Sequence, residues 1–395
     1  MLSGLALFDN QLSGEIPKTI GRLPSLRDLK LFNNNLSGTL PPDFGRYSNL
    51  RGFEIPSNHF TGKLPEHLCA NGELLGVVAF DNNLTGELPN SLGNCSSLLI
   101  VRVHGNRLSG SIPAGLWTSS NLQELMLSDN SFTGQLPRTL APSLWQLEIS
   151  NNKFSGEIPS GLSSWKHLTM FSASNNFFSG TIPQELTSLP LLSTLELDGN
   201  QFSGHLPSDV VSWKSLTVLN LSRNQLSGPI PNKLGSLPSL NVLDLSSNQF
   251  SGQIPTEIGL LRLTFLNLSS NSLTGRIPNE FENTFFNTSF LNNTGLCASN
   301  SSVRLEICSA GFENSSEKFS SLLAMIIDIA VKIIVAIFDM TKSPKIQSEA
   351  DFARVHAPFF SPTVDNNERR ALHHYLNCLS QIAEFLISIR LVGET

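Results

Sequence analysis

The stretch that decides the fold is Leu240-Asn241-Val242-Leu243-Asp244-Leu245-Ser246-Ser247-Asn248-Gln249-Phe250-Ser251-Gly252-Gln253-Ile254-Pro255, because the chain repeats its pattern twelve times. The pattern reads LxxLxLxxNxLSGxIPxxLGxLxx, and one asparagine marks each copy: Asn10, Asn34, Asn58, Asn82, Asn106, Asn130, Asn152, Asn176, Asn200, Asn224, Asn248 and Asn271. Nine of the eleven intervals between them are 24 residues, one is 22 and the last is 23. A fixed period of this size predicts stacked units that share one continuous core.

Each unit predicts a short strand followed by a turn. Leucines five and three residues before the asparagine alternate with variable residues, which predicts one buried and one exposed side. A buried asparagine amide at the turn can bond to backbone groups of adjacent units. Leucine or phenylalanine follows two residues later, and the phenylalanines are Phe60, Phe132, Phe154, Phe178, Phe202 and Phe250. Because these phenylalanines share one position in the repeat, we predict that they pack in the core as a column, here called the spine, and do not form an aromatic binding surface.

The pattern matches the leucine-rich repeat, and its Ser/Thr-Gly-x-Ile/Leu-Pro segment resembles the plant-specific class. That resemblance implies an α/β leucine-rich-repeat solenoid, a horseshoe or superhelix with a parallel β-sheet on its concave face and a second short sheet. We assign residues 1–280 to twelve repeats without an N-terminal cap and 281–309 to a C-terminal cap. Residues 310–340 are assigned to a transmembrane or apolar helix and 341–395 to a linker and amphipathic helix, which gives a helical C-terminal tail. The 22-residue unit predicts a shortened convex turn.

Cysteines and glycosylation sequons favour a secretory route. Cys69 pairs naturally with Cys95, and Cys297 with Cys308, which leaves Cys378 alone. Sequons occur at Asn35, Asn83, Asn94, Asn220, Asn267, Asn287, Asn292, Asn300 and Asn314. No signal peptide precedes the first repeat. A cytosolic repeat protein is the alternative, but we favour a chain that lacks its true N-terminus and belongs outside the cell or at the plasma membrane.

The segment 322–338 is apolar and near the lower length limit of a membrane helix, although Asp328 and Lys332 interrupt it. A membrane anchor and a soluble helix both fit this segment. The tail after residue 309 could equally be a native product or a gene-model error.

Several function classes are disfavoured. The net charge of −6 argues against a nucleic-acid partner. Kinase, nucleotide-binding, serine-hydrolase and zinc-protease motifs are absent, so no catalytic activity and no cofactor are predicted. Cys378 with His373 and His374 offers too few ligands for a metal site.

Residues 1–308 resemble the ectodomain of plant leucine-rich-repeat receptor-like kinases, most closely the HAESA-like group. The resemblance rests on Leu116-Trp117, on the segments 124–134 and 243–252, and on Gly295-Leu296-Cys297. It implies a secreted peptide ligand on the concave face and a leucine-rich-repeat co-receptor kinase near the C-terminal repeats. The group's Arg-x-Arg pair, which holds the peptide carboxylate, corresponds here to Ile100-Val101-Arg102, so only the second arginine is present. A truncated receptor is therefore predicted; the alternative is a secreted inhibitor similar to polygalacturonase-inhibiting proteins.

The predicted ligand site lies on the outward strand positions. Its residues are Lys30, Glu54, Phe80, Arg102, His104, Glu124, Met126, Glu148, Glu196 and Asp198. The outward positions carry ten acids, namely Asp9, Asp28, Glu54, Asp81, Glu124, Asp129, Glu148, Glu196, Asp198 and Asp244, against Lys30, Arg102 and Arg223. This excess predicts a ligand with net positive charge, and solubility is the competing explanation.

Overall fold

The computed structural model describes residues 2–210 and 212–308, and these residues form a solenoid of stacked coils with two parallel sheets. One coil corresponds to one sequence repeat, so the predicted solenoid is confirmed. The apolar segment 322–338, the amphipathic helix and Cys378 lie outside the described residues. No helix within the described ranges has the length and apolar character needed to cross a membrane.

The first sheet contains one short strand from each coil. Every strand pairs with its neighbour at the same repeat position, as Leu219, Leu243 and Leu266 do. Its strands are Gly4–Ala6, Asp28–Lys30, Gly52–Glu54, Gly76–Val78, Ile100–Arg102, Glu124–Met126, Gln146–Glu148, Met170–Ser172, Thr194–Glu196, Val218–Asn220, Val242–Asp244 and Phe265–Asn267. The middle residue of each strand points into the core, as the leucine spacing predicts.

The second sheet follows the turn after each asparagine. Its strands are Ser13–Glu15, Asn35–Thr39, His59–Gly62, Asn83–Gly86, Arg107–Ser111, Ser131–Gly134, Lys153–Gly156, Phe177–Gly180, Gln201–His205, Gln225–Gly228, Gln249–Gly252, Ser272–Arg276, Gly295–Ala298 and Glu306–Ile307. The repeated glycine of this sheet, such as Gly228 with φ 77°, adopts the left-handed conformation that a side chain would strain. The plant-type second sheet is therefore present.

On the side opposite the first sheet, which we call the return side, single helical turns lead the chain from one coil to the next. One α-helix spans Ala114–Thr118. The 3-10 helices are Lys18–Arg22, Asn90–Asn94, Ser163–Trp165, Gln184–Ser188, Asn232–Ser236, Thr256–Leu260, Asn279–Phe281 and Thr284–Phe286. The 22-residue unit has only a turn at Pro142-Ser143 here, yet its strand Gln146–Glu148 pairs normally with both neighbours. Its shortening is thus confined to the return side.

A ladder of buried asparagines joins successive coils. Asn176 donates through Nδ2 to the carbonyls of Ile149 (2.9 Å), Ala173 (3.2 Å) and Ser174 (3.1 Å), and its Oδ1 accepts from the Phe154 N–H at 2.9 Å. The same pattern recurs along the array. The structure also carries it beyond the twelve predicted repeats, because Asn293 makes equivalent bonds to Leu268 and Leu273. The region assigned as a cap from residue 281 therefore contains one further coil.

Both predicted disulfides are present. Cys69 and Cys95 join two consecutive coils, with their Cα atoms 5.9 Å apart. Cys297 and Cys308 close the last described turn, with Cα atoms 5.0 Å apart. Each disulfide lowers the conformational entropy of the unfolded chain, and in the folded protein it links neighbouring turns.

Candidate ligand-binding face

The exposed side of the first sheet presents rows of side chains, because each strand stacks on the next without any shift in register. The third residues of the strands form a central row: Ala6, Lys30, Glu54, Val78, Arg102, Met126, Glu148, Ser172, Glu196, Asn220, Asp244 and Asn267. The first residues form a second row. We call these two rows, together with the two residues before each ladder asparagine, the open face.

The residue directly before each ladder asparagine has a left-handed backbone. The φ angles lie between 52° and 58° at Asp9, Asn33, Ser57, Asp81, Asp129, Asn151, Asn175, Arg223, Ser247, Ser270 and Asn292. Glycine occupies the row twice, at Gly105 and Gly199, with φ 64°. Asparagine, aspartate and glycine tolerate this conformation best, and they hold nine of the thirteen positions in the row; serine or arginine holds the other four. The sequence carried this signal, but the conformation was not predicted.

Aromatic side chains occupy the position two residues before the ladder asparagine at one end of the open face. Phe8 stacks on Phe32 with ring centroids 4.5 Å apart, and Phe80 stacks on His104 at the same distance. Pro56 lies between the two pairs in the row and is buried. Further along, the row becomes polar and holds Ser128, Ser150, Ser174, Asp198, Ser222, Ser246 and Ser269. The open face thus has an apolar part and a hydroxyl-rich part.

Each of the three cations that the sequence places on the open face is paired there with an acid. Lys30 Nζ lies 3.0 Å from Glu54 Oε1. Arg102 Nε donates to Glu124 Oε2 at 2.7 Å, and Glu124 is largely buried. Arg223 binds Asp198, which also accepts a hydrogen bond from Ser174. The positive charges are therefore neutralised within the protein before any ligand arrives.

The remaining acids give the open face a surplus of negative charge. Ten acids less three paired ones leave seven without an ion pair among the described residues: Asp9, Asp28, Asp81, Asp129, Glu148, Glu196 and Asp244. Several accept only neutral hydrogen bonds, as Asp129 does from Asn151 (2.7 Å) and Glu196 does from Ser172 (2.7 Å). A neutral donor leaves the carboxylate charge uncompensated, so the potential over the face is negative.

His104 is the half-buried histidine of the apolar part. Its Nδ1 is enclosed and has no hydrogen-bond partner among the described residues. Burial lowers the pKa of His104, and the nearby carboxylates of Asp81, Glu148 and Asp129 oppose that effect. The neutral ring is therefore favoured in the folded state, where it continues the aromatic row beyond Phe80.

We expect acidification to destabilise the protein partly through His104. Because the folded pKa is depressed, the unfolded chain binds the proton more readily. The stabilising contribution is complete above the ordinary histidine pKa of about 6.5 and declines as the pH falls below it. We would measure urea unfolding at neutral and at acidic pH. Between the two pH values, the free energy of unfolding should fall less for His104→Phe, which keeps the stacking on Phe80, than for the wild type. His59→Phe in the second sheet is the control; an equal effect of both variants would contradict the assignment.

All ten predicted ligand-site residues lie on the open face. Phe80 stacks on His104, and Arg102 forms an ion pair with Glu124; these two neighbouring pairs make up one group. Glu196 and Asp198 belong to another group with Ser172 and Ser174, and Lys30 and Glu54 form a third at the opposite end. Met126 and Glu148 lie between the first two groups in the central row. Prediction from the sequence missed Pro56, Ser172 and Ser174, whose small side chains gave no chemical signal. Within the described ranges, no cluster of side chains could hold a metal ion.

Comparisons with known proteins identify the repeat and several structural relatives. The leucine-rich-repeat family models match residues 205–250 and residues 25–47, 121–142, 143–165 and 262–284. The Arabidopsis receptor kinase HAESA, solved with the peptide hormone IDA and the co-receptor SERK1, is 47% identical with a TM-score of 0.73. The match covers 75% of this chain and 50% of that one. The plant peptide hormone receptor RGFR1 in complex with RGF2 is 34% identical with a TM-score of 0.66, and the match covers 75% and 52%. This chain spans about half the length of these relatives. No curated protein matches it.

Proposed function

Because this chain belongs to the leucine-rich-repeat proteins, with repeats of the HAESA-like receptor-ectodomain type, we propose that it binds a peptide along the open face. The single observation that carries the proposal is the open face itself. Its cations are paired internally, seven acids remain without an ion pair among the described residues, and one end presents stacked aromatic rings. An extended peptide with positive charges and apolar or proline residues complements both features.

The relatives support a peptide ligand and a second receptor as partners. HAESA was solved with a peptide hormone and a co-receptor, and RGFR1 with a peptide. By analogy we place this protein outside the cell or at the plasma membrane, as the ligand-binding part of a receptor. It works by binding, not by catalysis.

The arginine position suggests a different peptide ending from that of the HAESA-like group. Ile100 replaces the first arginine of the pair, and Arg102 is already bound to Glu124 through Nε and a terminal nitrogen. A free carboxylate would have to compete with that buried acid for the guanidinium. We therefore propose that positive groups of the ligand, rather than its carboxyl end, supply the main charged contacts.

A labelled peptide of alternating lysine and proline tests this proposal. Fluorescence polarisation should show binding that weakens as salt rises, and a glutamate–proline peptide should bind far less. Combining Asp81→Asn with Glu148→Gln should weaken lysine–proline binding about fivefold. Each exposed charge pair contributes on the order of 0.5 kcal/mol, and 1.4 kcal/mol corresponds to about a tenfold change.

The matched control changes two acids that lie on the return side. Glu185→Gln with Glu257→Gln removes the same charge from the 3-10 helices Gln184–Ser188 and Thr256–Leu260. This double variant should bind like the wild type. Equal weakening by both double variants would show that net charge alone matters, and salt-independent binding would contradict charge steering.

A further inference from the structure

Two glycosylation sequons lie in the central row of the open face. Asn220 ends the strand Val218–Asn220, and Asn267 ends Phe265–Asn267. Asp244 stands between them as the register partner of both. A leucine and then a serine follow each of the three residues, so Asp244 occupies the position that asparagine holds in the two sequons. The two sequons therefore flank one coil of the candidate binding surface.

The geometry of both asparagines suits a carbohydrate. Asn220 Oδ1 accepts hydrogen bonds from the N–H (3.1 Å) and hydroxyl (2.9 Å) of Ser222, its own sequon serine. Asn267 does the same with Ser269, at 3.2 Å and 2.8 Å. Neither Nδ2 has a hydrogen-bond partner among the described residues, and neither is among their enclosed polar atoms that lack one. Among the described residues, the nitrogen that would carry the sugar is thus without a hydrogen bond and is not enclosed.

Of the other sequons in the described ranges, Asn292 also lies on the open face, and the rest lie elsewhere. Asn35 and Asn83 begin strands of the second sheet, and Asn94 ends a 3-10 helix on the return side. Asn292 is exposed beside the last ladder asparagine, at the same end of the open face as Asn267. In the coils before Val218, no outward position of the open face carries a sequon.

We propose that N-linked glycans on Asn220 and Asn267 cover the C-terminal end of the open face and confine the peptide to the coils from Gly4 to Asp198. This inference rests on the proposed function. Adjacent strands are about 4.8 Å apart, so two sugars attached at Asn220 and Asn267 enclose Asp244 from both sides. Both aromatic pairs and six of the seven unpaired acids precede Asn220, in the part that stays uncovered.

The first experiment tests the glycans without any ligand. The full chain is secreted from insect cells behind a heterologous signal, and enzymatic deglycosylation in heavy-oxygen water marks each occupied asparagine for mass spectrometry. Asn220 and Asn267 should be marked. Carbodiimide labelling of carboxylates should then increase several-fold at Asp244 after deglycosylation and stay unchanged at Glu148. Unmarked asparagines, or equal labelling of Asp244 before and after, would overturn the covering.

The second experiment moves the same sequon along the central row. Met126→Asn creates Asn-Leu-Ser in the uncovered part, and Asp244→Asn creates it between the two native sequons. Asparagine fits at 244, because Asp244 Oδ1 already accepts the Ser246 N–H at 2.9 Å, as Asn220 Oδ1 does from Ser222. Met126→Asn should bind the lysine–proline peptide at least tenfold more weakly than Met126→Gln, whereas Asp244→Asn should bind within twofold of Asp244→Gln, which loses the same charge without gaining a sequon. Met126→Gln and Asp244→Gln control for the side-chain change alone.

The outcomes separate the two proposals. Equal loss of binding in both sequon variants, each measured against its glutamine variant, would show that the peptide also uses the C-terminal coils and would overturn the confinement. If the wild type binds no peptide at all, the proposed function fails, while the occupancy and labelling results still decide whether the glycans cover the face.

Discussion

Replacing Asn176 by alanine is expected to lower the free energy of unfolding by about 3–4 kcal/mol. The variant loses a side chain that satisfies three carbonyls and one N–H in an environment closed to water, since Asn176 is 5% exposed. The Phe154 N–H loses its acceptor, which costs about 1–3 kcal/mol, and each of the three carbonyls keeps another donor but loses a hydrogen bond worth about 0.5–1.5 kcal/mol. Partial relaxation of the turn recovers part of this total. Asn176→Asp should be worse, because it directs a carboxylate at carbonyl oxygens.

Urea unfolding followed by circular dichroism measures the loss, and hydrogen exchange locates it. The Phe154 amide, which donates to Asn176, should exchange faster in the variant, while amides in distant coils change little, because coils interact mainly with their neighbours. Asn121→Ala is the control, since that exposed side chain makes a single bond, to the Ser96 carbonyl at 2.8 Å. A loss at Asn176 no larger than that at Asn121 would refute the ladder's role in stability.

The ladder also shows how far the fold could be predicted. Strand, turn asparagine and spine residue follow from spacing alone, because a strand alternates sides and each coil must bury one side against the next. Asn293 escaped prediction for a local reason. The segment after it, Thr294-Gly295-Leu296-Cys297, lacks the Ser-Gly-x-Ile-Pro signature that defines the other units. The structure shows that the ladder contacts require only the asparagine and the backbone around it.

The sequence predicted which residues lie in the rows of the candidate site, but it did not predict which side chains form ion pairs there. Alternation along a strand places Arg102 outward, and that much needs only the sequence. Its partner Glu124 is not opposite Arg102, because in the sheet Glu124 pairs with Ile100 and Met126 pairs with Arg102. The ion pair is diagonal and depends on the rotamers of both long side chains, which the repeat pattern does not specify. Arg223 and Asp198 likewise pair across different repeat positions, whereas Lys30 and Glu54 are direct register partners that the repeat alignment alone places side by side.

Phe178→Ala is expected to destabilise the protein by about 3–5 kcal/mol, the usual range for removing a fully buried phenylalanine. Phe178 is 0% exposed, and its ring centroid lies 6.3 Å from those of both Phe154 and Phe202. Truncation therefore opens a cavity between two rings that belong to different coils and cannot close without shifting both. Urea unfolding checks the size of the effect.

The neighbouring residue supplies a stringent control. Phe177→Ala removes the same ring as Phe178→Ala, but the side chain of Phe177 is 53% exposed. Phe177→Ala should therefore lower the free energy of unfolding by less than about 1 kcal/mol. A peptide-binding measurement on Phe178→Ala distinguishes a role of Phe178 in packing from a role in ligand recognition. Under conditions where Phe178→Ala is still folded, it should bind the lysine–proline peptide within twofold of the wild type, because the spine lies beneath the open face. Loss of binding without loss of stability would instead make the phenylalanine column part of the ligand site.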